Sequence, residues 1–319
     1  MLACSVCHAG SIRQPSGYYV MQGVHAQNVK NSVLSSPSLA GIHIRDEWAL
    51  VEPSSSSFSF TWMDEQVSRA AQLGKKVTLG IYAGQNSPTW LGVQRIDGSP
   101  LPWDPKVDST FVDMVSQLGQ HYAANPTIAA VHMTSPATAY SMEMYLPNGL
   151  TKTAGYSDQK IIDVWKQSID AYSAAFPNNA LVLDLAMVPD SRGAITKVVD
   201  EYARQVLGSR FNAIICNLKA NTSPTAPHLR ELMRLQSEGV RIGFEMVSPS
   251  SDSRFGGSFA KAISIGTAAG SSWYQIYQSD LPGIPPSSIG NQVPEPTVLL
   301  YTFIGFAPFA FARRNRCHS

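Results

Sequence analysis

Two glutamates of this sequence are placed where carboxylates could do chemistry. Glu245 interrupts the apolar run "RIGFEMV" (241–247), and Glu143 lies in "SPATAYSMEMYLP" (135–147), after another apolar run. A carboxylate buried in an apolar strand is costly unless it is paired or used. Cleavage of a glycosidic bond needs two such groups, one at the anomeric carbon and one that protonates the leaving oxygen. We therefore take Glu143 and Glu245 as the candidate catalytic pair.

The segments that must position these residues alternate between strand-like and helix-like patterns. The predicted strands span 17–26, 39–46, 75–84, 127–135, 180–187, 212–220, 241–247 and 271–278. Helix-like apolar spacing covers 62–74, 109–125, 158–176, 195–208, 226–239 and 257–270, and four glycines follow helical runs as C-terminal caps would: Gly74, Gly208, Gly239 and Gly270. Eight alternating units predict a single-domain α/β fold, a (β/α)8 TIM barrel over residues 17–281.

The bulk composition excludes some classes of function. The chain has 319 residues, 44% of them hydrophobic and 15% charged, with a net charge of +1. This near-balance of charges lacks the excess of basic residues that is typical of nucleic-acid-binding proteins. A metal-dependent barrel hydrolase would carry H-x-H on its first strand, and "GVHAQ" has one histidine. We expect neither a metal nor another cofactor.

Active sites of (β/α)8 barrels lie at the carboxyl ends of the strands. The polar or aromatic candidates near those ends, besides Glu143 and Glu245, are Arg45, Tyr82, His132, Asn217, Trp273, His25, Asp184 and Lys219. Trp90 and Trp103 lie in Pro-rich loop sequence, where exposed aromatic faces could stack on a sugar. The expected substrate-binding residues are Arg45, Tyr82, Trp90, Trp103, His132, Asn217 and Trp273.

Residues 41–91 resemble the early part of clan-A glycoside hydrolases, the cellulase and β-galactosidase superfamily. The features that carry the resemblance are "W-x-x-V-E-P", "M-D-x-x-V-x-x-A-x-x-x-G-K-K-V" and "S-P-x-W-L", and they are most similar to β-galactosidase-type members. The resemblance implies a retaining β-glycosidase with Glu143 as acid/base and Glu245 as nucleophile. It also implies that Arg45 keeps the nucleophile ionised and that Trp273 forms the floor of the sugar site.

One departure from the clan pattern concerns strand four. Clan members have Asn-Glu directly at the end of this strand, whereas this sequence has Met142-Glu143 about ten residues beyond "AAVHM". Either a longer loop returns Glu143 to the site, or the acid has moved. The departure leaves open an inactive barrel that binds polysaccharide at the cell surface.

The carboxyl-terminal segment resembles a bacterial PEP-CTERM sorting signal. Val293-Pro294-Glu295-Pro296 precedes the apolar run 297–312 and the arginine-rich "RRNR" (313–316), with 282–292 as a linker. The resemblance of 293–319 implies export to the cell envelope or beyond, transient membrane contact through 297–312 and processing by an exosortase-type enzyme. Alternatively, the apolar run docks as the missing eighth barrel helix.

The amino-terminal extension, residues 1–16, contains the haem-attachment pattern C-x-x-C-H at Cys4, Cys7 and His8. A haem domain needs helices of its own, and the first predicted strand begins at Gly17, so we interpret the pattern as coincidental. "MLACSVCHAG" lacks the basic start and long apolar core of a secretion signal. We therefore expect that the natural amino terminus is truncated or misassigned.

Overall fold

The computed structural model describes residues 12–26, 28–187 and 193–284. Eight parallel strands close into a barrel, and the ring order is β1-β8-β7-β6-β5-β4-β3-β2. The strands are β1 Gly17–Met21, β2 Gly41–Glu47, β3 Lys76–Tyr82, β4 Ile128–Met133, β5 Ala180–Asp184, β6 Phe211–Leu218, β7 Arg241–Met246 and β8 Trp273–Ile276. The predicted TIM barrel is confirmed, and each predicted strand contains one observed strand apart from one-residue differences at the end of β2 and the start of β6.

The helices are α1 Asn31–Leu34, α2 Trp48–Val51, α3 Thr61–Gln72, α4 Pro105–Tyr122, α5 Asp158–Ala175, α6 Ala194–Leu207, α7 Pro227–Ser237 and α8 Phe259–Ala268. The six helices that the apolar spacing predicts are present as α3 to α8, and two short helices, α1 and α2, were not predicted. The N-cap Asp104 accepts a hydrogen bond from the Lys106 amide, and Pro105 occupies the first turn of α4. The four predicted cap glycines all have positive φ.

Two apolar layers hold the barrel together. The larger layer lies between strands and helices and includes the fully buried Trp48, Phe111 and Trp165. A smaller cluster fills the barrel interior and contains Tyr19, Ala130, Ala180, Val182, Ile214 and Trp273. Burial of apolar area of this kind is the main favourable term in folding.

Residues 12–16 close the amino-terminal end of the barrel. Arg13 donates hydrogen bonds to the carbonyl oxygens of Ala123 and Asn125, and Arg241 of β7 donates to the Pro15 carbonyl oxygen. This part of the predicted extension is therefore integrated with the barrel.

Several predictions lie outside the described residues. Cys4, Cys7 and His8 belong to this group, as do the linker and the tail from residue 285 onward. Beyond β8, the described part of the chain has a 3₁₀ helix at Gln278–Gly283. Within the described ranges, no helix combines the length and apolar composition needed to cross a bilayer.

Candidate active site

An ion pair joins β2 to β7 at the carboxyl end of the barrel. Arg45 Nη1 lies 3.6 Å from Glu245 Oε1, and both side chains are nearly buried. Arg45 Nη1 also donates to the Tyr82 hydroxyl at the end of β3, at 3.1 Å, and Nη2 donates to the Gln22 carbonyl oxygen at 3.0 Å. The guanidinium is thus held by three neighbouring strand ends while it faces the Glu245 carboxylate.

The charge state of Glu245 is set by competing effects. Burial raises the pKa of its carboxyl to about 8; Arg45 lowers this pKa, whereas Glu143 and Asp184 raise it. Burial would lower the pKa of Arg45, but Glu245 and other neighbours raise it overall. Arg45 therefore stays protonated beside a carboxyl that takes up a proton more readily than an exposed one.

Glu143 is returned to the barrel mouth by the loop that joins β4 to α5, residues 134–157. The Met144 amide donates to the Asp184 carbonyl oxygen on β5 at 3.2 Å, and the Ala139 amide donates to the Tyr145 carbonyl oxygen at 2.8 Å. The Met142 side chain lies directly over Gly80 of β3, where a Cβ would be only 2.2 Å from its sulfur. The loop therefore folds inward at Met142, immediately before Glu143.

The electrostatic surroundings of Glu143 connect it with the Arg45–Glu245 pair. Burial raises the pKa of the Glu143 carboxyl, Asp184 acts in the same direction, and Arg45 opposes them. Glu143 in turn raises the pKa values of Glu245 and Tyr82. The loop therefore brings Glu143 close enough to the Arg45–Glu245 pair for their charges to interact, and the role of Glu143 as the acid stays a prediction.

A second loop contact fixes this arrangement. Gly84, in the loop after β3, has φ +56°, and a Cβ there would lie 2.1 Å from the carbonyl oxygens of both Thr138 and Ala139. The Gln85 amide donates to the Ala139 carbonyl oxygen at 2.8 Å. The loop carrying Glu143 therefore packs against backbone that only glycine allows at this point.

We expect Gly84→Ala to displace the 134–157 loop and to lower both the melting temperature and any activity that depends on Glu143. The left-handed backbone alone costs about 1–3 kcal/mol, and the clash with two carbonyl oxygens adds to it. Thermal unfolding and activity assays check this expectation. Gly92→Ala is the matched control, because Gly92 has φ +63° but its nearest obstacle is 3.8 Å away. Equal effects of the two substitutions would contradict the proposed loop contact.

A β-bulge brings two side chains of β6 opposite Glu245. Ile215 pairs with Phe244 and Leu218 pairs with Met246, so Cys216 and Asn217 together face the single residue Glu245. Bulges of this kind re-aim side chains near functional sites. The Asn217 Oδ1 atom is buried without a hydrogen-bond partner. Asn217 therefore lies opposite Glu245 with a buried acceptor that has no partner in the protein, and its role in substrate binding stays a prediction.

His132 lies deeper than the sequence predicts. Its side chain is fully buried; Nδ1 is 2.6 Å from Asp184 Oδ1, and Nε2 is 2.9 Å from Gln275 Nε2. A side chain enclosed in this way cannot touch a substrate, so the predicted binding role of His132 is wrong. His132 belongs to a layer of inward-facing polar side chains that lies below the opening at the carboxyl end of the barrel. The alternation of residues along a strand shows which side chains face inward, but it does not show how deep in the barrel each of them lies.

Trp273 is likewise below the mouth. It is the first residue of β8, pairs with Gly17 and Gly243, and its ring lies 2.3 Å from where a Gly243 Cβ would be. The indole is fully buried and packs edge-on against Tyr19. The predicted sugar floor at Trp273 is therefore wrong, because two further residues of β8 separate it from the level of Glu245, which pairs with Gln275.

Tyr277, rather than Trp273, is the aromatic residue of this segment that lies near Arg45 and Glu245. It follows β8 directly, is half-buried, and Glu245 and Arg45 both influence its pKa, which burial raises. Alternation along "WYQIYQ" could have indicated it, since Trp273, Gln275 and Tyr277 point to the same side. Which of these three residues lies near Glu245 depends on how far β8 extends towards the carboxyl end of the barrel.

Trp90 and Trp103 lie in the loop layer around the mouth. Trp90 is half-buried and donates from Nε1 to the Glu52 carbonyl oxygen at 2.8 Å. Trp103 packs edge-on against Tyr156, and Lys160 Nζ lies 5.3 Å from its ring centre. These contacts are with loop and helix residues, and a role for either indole in sugar binding stays a prediction.

The side chains that the structure brings together at the carboxyl end are Arg45, Tyr82, Glu143, Asp184, Cys216, Glu245 and Tyr277, which we call the mouth cluster. Cys216 and Tyr277 join residues that the sequence singles out; the Cys216 thiol lies 3.6 Å from Asp184 Oδ2. The described residues contain no group of three or more His, Cys, Asp or Glu side chains arranged to hold a metal ion. The cluster contains the carboxyl groups of Glu143 and Glu245, both with raised pKa values, and the guanidinium of Arg45. Groups of this kind can transfer protons to and from a polar substrate.

Comparison with protein-family models gives one match, to a beta-galactosidase family over residues 38–100. The matched stretch contains β2, α3 and β3, and hence Arg45 and Tyr82, whereas both candidate catalytic glutamates lie outside it. No curated protein matches the chain.

Solved structures share the barrel. Xylanase 10B from Thermotoga petrophila aligns with a TM-score of 0.54 at 13% identity, over 84% of this chain and 85% of the xylanase. The catalytic domain of beta-amylase from Paenibacillus polymyxa aligns with a TM-score of 0.56 at 10% identity, over 84% and 94% of the two chains. Beta-galactosidase from Marinomonas ef1 aligns with a TM-score of 0.53 at 10% identity, over 82% of this chain and 54% of that one. At these identities the likeness is one of fold.

Proposed function

We propose that this protein is a glycoside hydrolase that cleaves β-glycosidic bonds with retention of configuration. The observation that carries the proposal is the Arg45–Glu245 ion pair, 3.6 Å long, at the carboxyl end of the barrel, with Glu143 close enough to raise the pKa of Glu245. The beta-galactosidase family match over residues 38–100 supports the reaction class. The substrate is an oligo- or polysaccharide, and no cofactor takes part.

In the proposed reaction Glu143 is the acid and Glu245 the nucleophile. Glu245 attacks the anomeric carbon while Glu143 transfers its proton to the leaving oxygen, which yields a glycosyl ester on Glu245. Glu143, now a carboxylate, takes a proton from water as this water attacks the same carbon and releases Glu245. Arg45 stabilises the charge that Glu245 carries before and after the ester exists.

The proposed two-step reaction requires that the carboxyl groups of Glu143 and Glu245 hold one proton between them. Two interacting carboxyls titrate as a pair, and the proton that they retain belongs to the pair. Raised pKa values of both groups, that of Glu245 to about 8, favour a pair that is singly protonated near neutral pH. In the proposed reaction that proton resides on Glu143 when the sugar is bound.

We expect kcat/KM to fall as the pH rises into the alkaline range, because the pKa values of both carboxyls are raised and above them the pair loses the proton that the leaving group must receive. A pH profile of kcat/KM on an aryl glycoside measures this limb. A substrate whose leaving group needs no protonation should retain activity further into the alkaline range. An alkaline limb with the same midpoint for both leaving groups would count against the assignment of the lost proton to the acid.

A direct test uses purified full-length protein and a panel of aryl β-glycosides, including the galactoside, glucoside and xyloside, with release of the phenol as the readout. The three similar folds carry the names xylanase, beta-amylase and beta-galactosidase, so the panel must be broad. Proton NMR of the first sugar product then gives the anomeric configuration. An initial β-product supports the proposal, and an initial α-product overturns the retaining mechanism. Binding to polysaccharide without any cleavage would favour a non-catalytic barrel instead.

We also propose that the protein is exported and processed at its carboxyl terminus. The support is the order of Val293–Pro296, the apolar run and the arginine cluster in the sequence. Mass spectrometry of the protein recovered from cells that contain an exosortase-type enzyme is expected to find chains that end near Val293–Pro296. Recovery of full-length chains alone would contradict this part of the proposal.

A further inference from the structure

Among the residues that the structure describes, Tyr140 is the one aromatic residue that lies mostly in solvent. It is 60% exposed, whereas Ala139 before it and Met142 after it are almost fully buried. The 134–157 loop thus packs on the barrel on both sides of Tyr140 and leaves this one ring outside. A single exposed apolar residue needs no explanation by itself, but Tyr140 precedes Glu143 by only three residues.

Hydrogen bonds hold the backbone on which Tyr140 stands. The Ala139 amide donates to the Tyr145 carbonyl oxygen at 2.8 Å, and the Ala139 carbonyl oxygen accepts from the Gln85 amide, also at 2.8 Å. Residues 140–144 therefore form a short closed loop that contains both Tyr140 and Glu143. Three residues of chain span at most about 11 Å, so the two Cα atoms are no further apart than that.

The position of Tyr140 relative to the substrate follows from the part proposed for Glu143. An acid that protonates the leaving oxygen must lie beside that oxygen, so the leaving group continues past the loop that carries the acid. Tyr145 supports the closeness of these side chains. Burial is the main effect that raises the pKa of Tyr145, and Glu143 and Tyr140 raise it further.

We propose that the ring of Tyr140 is the platform on which the leaving-group sugar stacks, so that the protein prefers substrates whose leaving group is itself a sugar unit. The C–H face of a sugar ring packs on an aromatic face, and tyrosine offers such a face together with a polar hydroxyl and few rotatable bonds. This inference rests on the proposed function and names the kind of leaving group that the same site takes. Tyr140 determines specificity and takes no part in proton transfer.

Tyr140→Ala is expected to lower kcat/KM for a β-linked oligosaccharide about tenfold, mainly by raising KM. The substitution removes a contact that exists before and during the reaction, and loss of such a contact weakens binding without slowing the chemical step. Tyr140→Phe keeps the ring and should retain most of the wild-type kcat/KM. Tyr202→Ala is the matched control, because Tyr202 lies on α6, where its hydroxyl donates to Asp170 outside the mouth cluster.

The experiment uses purified full-length protein and two substrates with the same sugar at the cleaved bond, a β-linked oligosaccharide and the glycosyl fluoride. Fluoride has no ring to stack and leaves without protonation, so we expect Tyr140→Ala to leave kcat/KM for the glycosyl fluoride unchanged. The kcat on the fluoride also depends on Glu143 as the base in the second step. An unchanged kcat therefore shows that the loop has not moved.

A loss confined to the oligosaccharide, with rescue by Tyr140→Phe, supports the platform. Equal losses on the two substrates, equal losses in Tyr140→Phe or in Tyr202→Ala, or a wild type that hydrolyses only the fluoride overturn it, although the protein is then still a glycosidase.

Failure of the proposed function gives a different pattern. If the wild type cleaves no glycoside, titration calorimetry with β-linked oligosaccharides of galactose, glucose and xylose decides the question. Weaker binding by Tyr140→Ala, with binding by Tyr140→Phe and Tyr202→Ala retained, supports the platform in a non-catalytic barrel. Unchanged binding by Tyr140→Ala, or no binding by the wild type, overturns it.

Discussion

Glu245→Gln is expected to lower kcat/KM on a β-glycoside by on the order of 10⁴-fold or more, as loss of a covalent nucleophile does in other enzymes. Glutamine has nearly the size of glutamate and can still accept a hydrogen bond from Arg45, so the fold should persist. The amide cannot form the glycosyl ester. Steady-state rates on the aryl glycoside that the wild type cleaves fastest provide the measurement.

A small nucleophile should distinguish attack by Glu245 from any other role. In Glu245→Gly the space left by the side chain admits azide, which can attack the anomeric carbon from the same face and give a glycosyl azide of inverted configuration. We expect azide to restore part of the rate on a substrate with a good leaving group. Glu47→Gln, at the end of β2 and outside the mouth cluster, is the matched control and should retain wild-type rates. Full activity of Glu245→Gln would remove the assignment of the nucleophile.

Glu143→Ala is the substitution with the second largest expected effect, and its size should depend on the leaving group. Loss of a general acid costs typically 10²–10⁴-fold, and we expect a loss in this range for an alkyl or sugar leaving group. For a dinitrophenyl glycoside, whose phenolate leaves without protonation, formation of the glycosyl ester should be nearly unaffected. A series of aryl glycosides with graded leaving-group pKa values measures the dependence.

The slope of log kcat/KM against the leaving-group pKa shows whether Glu143 protonates the leaving group. We expect log kcat/KM of Glu143→Ala to fall steeply as the leaving-group pKa rises, and that of the wild type to fall only slightly. The alkaline limb of the pH profile should also disappear in the variant. Parallel slopes for the two proteins would mean that another group supplies the proton. Glu47→Gln again serves as the reference for a mouth-side carboxylate without a role.

Much of the barrel could be predicted because its determinants are local and repeated. Eight apolar runs, separated by segments with helical spacing, determine the order of strands and helices. Parallel strands that are joined by helices can be arranged in only a few topologies. Glu245 could be found because a carboxylate in an apolar strand is conspicuous on its own. The pairing of Arg45 with Glu245 was implied by the resemblance to clan-A hydrolases, and the barrel alone predicted only that both residues lie at the carboxyl ends of their strands.

The errors concern depth along a strand. His132 and Trp273 lie on strands and face inward, as the period-two pattern indicates, yet this pattern does not say which layer of the barrel each reaches. The answer depends on the register of β8 against β1 and β7, where Trp273 pairs with Gly17 and Gly243. Register is a property of several strands together, and no single segment encodes it.

The β6 bulge and the inward loop were also beyond sequence patterns. A bulge adds one residue without changing the apolar character of the strand, so Cys216 and Asn217 read as ordinary strand residues. The return of Glu143 depends on contacts between distant segments, above all Gly84 with Thr138 and Ala139. Such contacts follow from the assembled barrel rather than from the loop's own sequence.

The contacts of the 134–157 loop with β5 and Gly84 affect how the protein is expected to lose activity on heating. Segments with few buried contacts open long before the whole fold does, whereas segments held by buried backbone hydrogen bonds open with it. The amides of Met144 and Ala139 belong to the second kind. Loss of catalysis on warming should therefore coincide with cooperative melting of the barrel, and amide hydrogens of this loop should exchange as slowly as those of the strands it touches.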